Sequence, residues 1–268
     1  MQSTVRLAAG ADFAVDEVTC TDDHARWSAP QVEPGHELVL VRRGRFRRRV
    51  GGVAQDIDPT VAYLSVSGEE EHFAHPAGGD VCTLVTLQPE LWRTLTGEPK
   101  RLRRSTVYVD ARLDLVHRRM LTTARGADVD FGVAEELLRL VGGAIAQVAT
   151  VPVDGRSDDR ALVDRARTAV VEDHPDASGL FTLARLLGVS PYRLSRAFPA
   201  ELGVSLTRYR NRIRVGRALD RLADGASSLA ALAADLGFTD QAHLCRTVRQ
   251  HLGHTPTAVR RLLSNQSQ

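Results

Sequence analysis

Lysine is almost missing from this chain of 268 residues: Lys100 is the one lysine among 35 basic residues, so the positive charge is carried by arginine. Cysteine is scarce too. Cys20, Cys82 and Cys245 are too few and too scattered for a secreted disulfide framework, which fits a reducing compartment where thiols stay free for metal or redox chemistry. No run of 18 apolar residues occurs, which excludes a membrane-spanning helix on sequence grounds, and Met1 to Gly10 lacks the basic region and apolar run of a secretory signal. A cytoplasmic location is expected. What is present is ordinary globular material, 43% hydrophobic and 25% charged, enough for a sizeable core and unlike disordered, collagen-like or coiled-coil chains. The length suits two modest domains.

A net charge of +2 conceals an asymmetry. From Arg156 onward there are 17 arginines against 11 acidic residues, so the part before it is net acidic. Residues 185 to 261 concentrate 13 arginines and 5 acids, the electrostatic footprint of a polyanion binder. A solvated arginine-rich face is the alternative, and charge alone does not decide between them.

Pattern divides the chain in the same way. Between residues 36 and 91, β-type stretches (Glu37 to Val41, Val61 to Ser67, Val81 to Leu87) alternate with Gly44, Gly51-Gly52, Asp58-Pro59, Gly68 and Gly78-Gly79, which reads as antiparallel hairpins in a small sandwich or barrel. From Asp110 the period turns helical, with Leu113, Val116, Met120 and Leu121 on one face and Val133, Leu137, Leu140 and Val141 on another. The cluster Val151-Pro-Val-Asp-Gly-Arg-Ser-Asp-Asp then breaks the periodicity. The expected organisation is an α+β protein of two domains: 1–150, an antiparallel β-barrel with flanking helices; a linker at 151–159; and an all-α domain at 160–268.

Within the second domain one plan occurs twice. Leu183 to Leu187, Gly188 and Ser190 read as a short helix, a glycine turn and a cap for the next helix; Leu229 to Leu236, Gly237 and Asp240 repeat this about 49 residues later. Amphipathic helices follow each, Pro191 to Phe198 and Gln241 to Leu252. Between them Leu206 to Leu222 reads as one long helix with Arg208, Arg210, Arg212, Arg214, Arg217 and Arg221 around it. Short helix, turn, second helix is the helix-turn-helix plan, whose second helix enters the DNA major groove.

The run Ala233 to Arg246 (Ala-Ala-Asp-Leu-Gly-Phe-Thr-Asp-Gln-Ala-His-Leu-Cys-Arg), followed by Gly253-His-Thr-Pro256, resembles the signature of the AraC/XylS family of transcription regulators, and the resemblance extends over roughly Ala161 to Leu263. Two positions depart from the family pattern. Pro199 stands where a basic residue is usual, which predicts an early stop or kink in the first recognition helix, and Val259 replaces an aromatic, which alters packing. The resemblance implies two recognition helices entering successive major grooves of double-stranded DNA, spaced by the long helix. Carried over by position, the base-facing candidates are Tyr192, Arg193, Ser195 and Arg196, then Gln241, Ala242, His243, Cys245 and Arg246. Their chemistry agrees, since arginine grips guanine at O6 and N7 and glutamine pairs with adenine. Arg208, Arg210, Arg249 and Arg260 are expected on phosphates, which position without specifying. His243 and Cys245 serve equally well as packing residues.

The family's first domain is often a cupin-like barrel that binds an effector and mediates dimerisation, and residues 36 to 91 are similar in pattern. The chain lacks the His-x-His pair of metal cupin enzymes, showing only His36-Glu37. Taken by themselves, these residues suggest another site. A hairpin centred on Gly78-Gly79 sets His75 opposite Cys82, and Cys20 and His24, four apart, share one face of an extended strand. Together the four make a tetrahedral Cys2His2 zinc site, structural or sensory through its thiolates. The rivals are that these are core and surface residues without metal, or that Cys20 and Cys82 form a redox disulfide. His36, His72 and Glu69 to Glu71 are alternative ligands, and Trp27, Trp92, Tyr63 and Phe73 are candidates to line a barrel pocket.

These readings predict a DNA-binding regulator, an activator by the commoner family mode, with RNA polymerase, an effector and a second copy of itself as partners and no enzymatic activity. The alternative keeps the DNA-binding domain but makes the first domain a metal-dependent cupin enzyme or a stoichiometric acceptor of alkyl or nitroso groups.

Overall fold

The computed structural model describes residues 1–32, 34–96, 105–125, 130–150, 157–226 and 228–264. The chain forms two compact units, divided between Thr150 and Val151. Of the expected linker, residues 151–156 lie outside the described residues, and Ser157 already opens a helix.

The first unit runs β1 (Gln2–Ala9), β2 (Phe13–Cys20), β3 (Gln31–Val32), β4 (His36–Arg43), β5 (Phe46–Val50), β6 (Val53–Ile57), β7 (Val61–Ser65), β8 (Glu70–Ala74), β9 (Asp80–Leu87), α1 (Pro89–Thr96), β10 (Thr106–Tyr108), α2 (Ala111–Ala124) and α3 (Asp130–Thr150). One antiparallel sheet has the order β1-β2-β9-β4-β7-β10, and a second has β3-β8-β5-β6. Strand periodicity assigns the two faces of the larger sheet. Val15, Leu38, Leu40, Ala62, Leu64, Val85 and Leu87 join Met120, Leu137, Leu140 and Val141 of α2 and α3 in one buried core. Val18, Cys20, Val39, Tyr63, Cys82 and Leu84 point the other way and line a cavity shared with the second sheet. Asp110 caps α2 by accepting a hydrogen bond from the Leu113 amide at 2.9 Å, and so fixes where that covering layer begins.

A buried ion pair joins neighbouring strands of the smaller sheet and is hydrogen-bonded to the larger one. Arg48 of β5 donates from Nε to Glu71 Oε2 at 2.8 Å and from Nη2 to Oε1 at 2.6 Å, and both side chains are at most 1% exposed. The contacts then cross to the larger sheet. Ser65 of β7 donates to Glu71 Oε1 at 2.6 Å, Arg48 Nη1 donates to Ser105 Oγ at 2.9 Å, and the guanidinium lies 4.3 Å from the Tyr63 ring centre.

Three expectations are corrected here. The sheet begins at Gln2 rather than near residue 36, so β1 and β2 belong to the domain core. Gly78-Gly79 is no hairpin turn: β8 lies in the smaller sheet and β9 in the larger, so His75 and Cys82 are not cross-strand partners. Glycine at 79 instead permits a close backbone crossing, because a Cβ there would sit 2.3 Å from the Cys20 carbonyl oxygen. Cys20 is the last residue of β2, so it and His24 do not share a strand.

The second unit contains α4 (Ser157–Val171), a 3-10 turn (Pro175–Ser178), α5 (Leu180–Leu186), α6 (Pro191–Leu202), α7 (Leu206–Ala223), α8 (Leu229–Asp235), α9 (Gln241–Leu252) and α10 (Pro256–Ser264). Leu183, Leu194, Phe198, Tyr209, Val215, Leu219, Leu232, Leu244, Val248 and Val259 are buried. The early stop expected at Pro199 does not occur. Its ring is exposed, Leu194 and Phe198 hold the preceding turn in the core, and the Gly203 amide donates to the Pro199 carbonyl at 3.0 Å. Among the described residues no helix is long and apolar enough to cross a membrane.

Candidate nucleic-acid interface and N-terminal cavity

The second unit is built from a duplication that reaches down to its caps. α5 and α8 are each seven residues long, and α6 and α9 are each twelve. Gly188 and Gly237 make the intervening turns at φ of 70° and 69°, a left-handed conformation that side chains disfavour. Ser190 and Asp240 cap α6 and α9 through the amides of Arg193 and His243. Gly203 and Gly253 end them in the same left-handed state. The 18 residues of α7 extend about 27 Å, enough to hold two such motifs apart as a rigid spacer.

Most of the base-facing candidates stand in solvent. On α6, Tyr192, Arg193, Ser195 and Arg196 are exposed around buried Leu194, Ala197 and Phe198. On α9, Gln241, Ala242 and Arg246 are exposed, while His243 and Cys245 are half-buried. His243 also serves its own turn: its Nδ1 accepts from the Thr239 amide at 3.4 Å, and its ring meets Phe238 edge-on at 5.3 Å. Arg196 donates to the Tyr192 hydroxyl at 3.0 Å and lies over that ring, which holds it upright on the helix surface. Arg193 is paired instead with Asp159 of α4 at 3.1 Å.

The expected phosphate contacts divide. Arg208 and Arg249 are exposed, and Arg210 and Arg260 are half-buried. Of the arginines expected around α7, Arg212 is buried, because it lies three residues from both Tyr209 and Val215 on the core face. Arg214 was missing from the candidate set. It follows Arg210 by one turn, sits 5.7 Å from the Phe238 ring, and shares with Arg210 and Arg217 a groove of about 330 Å³ reaching the α8 turn. Burial and the Arg214 charge pull the Arg210 pKa below its usual value. Arginines four apart on a helix were the available sequence signal.

In the first unit a cavity of about 190 Å³ lies between the sheets, bordered by Phe46, Tyr63, Phe73, Glu37, Glu71, Cys20, His75, Asp80 and Cys82 among others. Tyr63 and Phe73 line it, as expected. Trp92 instead stacks on His36 at 4.6 Å, and Trp27 lies against Arg47 and Arg49 on the smaller sheet.

At one end of the cavity Cys20, His75 and Asp80 place ligand atoms within 4.8 Å of one another. Strand register explains two of them, since Cys20 and Asp80 are directly opposed on β2 and β9. The crossover brings in His75, whose Nε2 lies 3.2 Å from Asp80 Oδ1 and whose amide donates to the His24 carbonyl at 2.9 Å. Of the expected quartet, His24 turns its Nδ1 to the Arg26 carbonyl, and Cys82 donates to Asp80 Oδ2 at 3.0 Å. All three cysteines are free thiols. Burial and the Asp80 charge raise the Cys82 pKa far above its usual range, and burial raises that of Cys20, so both are protonated at neutral pH. Sequence spacing leaves Asp80 out because its place beside Cys20 is set by the β2–β9 register.

Comparison with known proteins bears on the second unit. A family model described as a helix-turn-helix domain matches residues 183–262. The regulatory protein PocR of Salmonella typhimurium is 32% identical over 79 residues, which cover 30% of this chain and 26% of PocR. The matched segment therefore spans about a quarter of that relative. Among solved structures, ToxT of Vibrio cholerae, in an unsaturated-fatty-acid-bound form, aligns over 96% of this chain and 97% of its own at 11% identity, with a TM-score of 0.39. The C-terminal domain of AraT, a response regulator from Geobacillus stearothermophilus, aligns over 37% of this chain and 84% of its own at 28% identity, with a TM-score of 0.35. With the family match over 183–262 and two capped helices facing solvent, residues 183–262 of this chain are a helix-turn-helix domain.

Proposed function

We propose that the chain is a cytoplasmic, sequence-specific regulator of transcription that binds double-stranded DNA through α6 and α9 and is set by a signal received in the N-terminal cavity. The observation that carries this reading is the duplicated pair of capped helices, each showing solvent a row of side chains able to read base edges. Arg208, Arg249 and the Arg210–Arg214 pair supply phosphate contacts. The first unit, cupin-like in its two antiparallel sheets, acts as a sensor, and zinc at its Cys/His end is one signal it would take. Phe131 and Leu138, exposed apolar residues a heptad apart on α3, favour pairing of two copies through that helix. Activation through contact with RNA polymerase completes the proposal.

Selection from a pool of randomised duplexes tests the reading. An enriched sequence with two half-sites is expected, and a pool that stays random would make this an architectural DNA binder instead. On the selected duplex, Arg246→Ala and Arg196→Ala should each relax discrimination at one base by about 1–3 kcal/mol, roughly 5- to 150-fold. Arg249→Ala should weaken binding to all sequences alike and lower the salt slope by about one. If both Arg196→Ala and Arg246→Ala keep full specificity, α6 and α9 are not the reading helices.

A further inference from the structure

We infer that Cys20, His75 and Asp80 form a three-residue site for a divalent cation of the zinc class, with Cys82 outside the ligand set. The inference rests on the reading of this cavity as the sensor, and it replaces the ligands that sequence spacing suggests. Thiolate, imidazole and carboxylate are the donor types that tetrahedral zinc accepts, and here their atoms already lie within 4.8 Å of one another. Two buried ligand-type atoms make no hydrogen bond, although Asp80 Oδ1 keeps its ion-pair contact with His75 Nε2 at 3.2 Å. Among the described residues, His75 Nδ1 and Asp80 Oδ1 have no hydrogen-bond partner, and the Asp80 side chain is only 4% exposed. Buried polar atoms without partners are costly, and a cation at this point would satisfy them. The other carboxylate oxygen, Oδ2, is occupied by the Cys82 thiol, which makes Cys82 an outer partner that orients Asp80.

The site has a consequence for the fold. Its ligands come from the end of β2, the crossover after β8 and the start of β9, so one ion would join a strand of the larger sheet to the only described link passing from β8 to β9. On binding, the Cys20 sulfur gives its proton to solvent and its lone pair to the metal, so uptake releases one proton and weakens as pH falls. All three residues border the cavity, so the fourth position of a tetrahedral ion opens on it.

The test uses the full chain, stripped of metal with a chelator and titrated with cobalt(II). One equivalent should bring up the near-ultraviolet sulfur-to-cobalt band and the visible bands of a tetrahedral ion. Cys20→Ser should lose the sulfur band, and His75→Ala and Asp80→Asn should lose stoichiometric uptake; Cys82→Ser and His24→Ala should keep both. If Cys20→Ser fails to fold, the Cys82→Ser/Cys245→Ser double variant assigns the thiolate, because a band that survives there belongs to Cys20. A small thiol should shift the visible bands, and a spectrum it leaves unmoved would overturn the open fourth position. Absence of uptake, or a band lost in the double variant, would overturn the site. Duplex affinity measured in parallel separates the two ideas, since uptake with unchanged DNA binding upholds the metal site and removes its role as sensor.

Discussion

Arg48→Ala should destabilise the N-terminal unit by about 3–5 kcal/mol, the cost of stripping the partner from a fully buried carboxylate. Glu71 would keep Ser65 but lose both guanidinium hydrogen bonds, in a position 1% exposed where water cannot replace them. The double variant Arg48→Met/Glu71→Leu should recover most of the loss, because removing both charges also removes the penalty of burying them. The readout is specific to this unit: Trp27 and Trp92 are the only tryptophans in the chain, and both lie in it. Urea unfolding followed by their fluorescence should show a much lower midpoint for the single variant. A change under about 1 kcal/mol would mean that the buried ion pair and the hydrogen bonds it makes to the larger sheet do not stabilise this unit.

The second large effect is one of pH. His117 of α2 is buried against the larger sheet, its Nε2 lying 2.8 Å from Thr83 Oγ1, and burial lowers its pKa to about 4. In the unfolded chain the same group titrates near 6.5. Between these values the unfolded state binds a proton that the folded state refuses. Stability is therefore full above about pH 6.5 and declines as pH falls towards 4, by on the order of 3 kcal/mol in all. Burial pushes His36 down as well, so a smaller share of the slope belongs to that residue. Unfolding midpoints measured from pH 7 to pH 4 should fall steadily in the wild type and more gently in His117→Gln. Equal slopes in the two proteins would reject His117 as the source.

Much of the second unit was legible in the sequence because its elements are local. Leu183 to Leu187, Gly188, Ser190 and the amphipathic run after them fix a helix, a turn, a cap and a second helix from neighbouring residues alone; the turn and cap fall where that pattern puts them, while the first helix starts at Leu180 and the second runs on to Leu202. The first unit was legible only in its most apolar strands. β5 is Phe-Arg-Arg-Arg-Val, which reads as a charged surface run, yet Arg48 is its most buried residue because Glu71 waits on a strand more than twenty positions away. The same limit applied to the metal-ligating cluster. Cys20 and His75 could be suspected from residue type, but Asp80 joins them only through the β2–β9 register and the crossing at Gly79, which are long-range facts. Arg212 shows the converse, an arginine counted with solvent because its neighbours Tyr209 and Val215 were not assigned to the buried face.

The duplication in the second unit carries one more implication. α6 and α9 share length and turn geometry and are each side-chain capped, yet the residues at their base-facing candidate positions differ: Tyr, Arg, Ser and Arg on one, Gln, Ala, His, Cys and Arg on the other. A homodimer of single-motif readers has a twofold axis and suits a palindrome, which reads alike from either end. The two unlike heads of one copy have no such axis, so the sequence read by each copy acts as an arrow on the duplex, whether it binds alone or beside a second copy. Inverting that arrow would turn every other surface of the bound protein to face the opposite way along the chromosome.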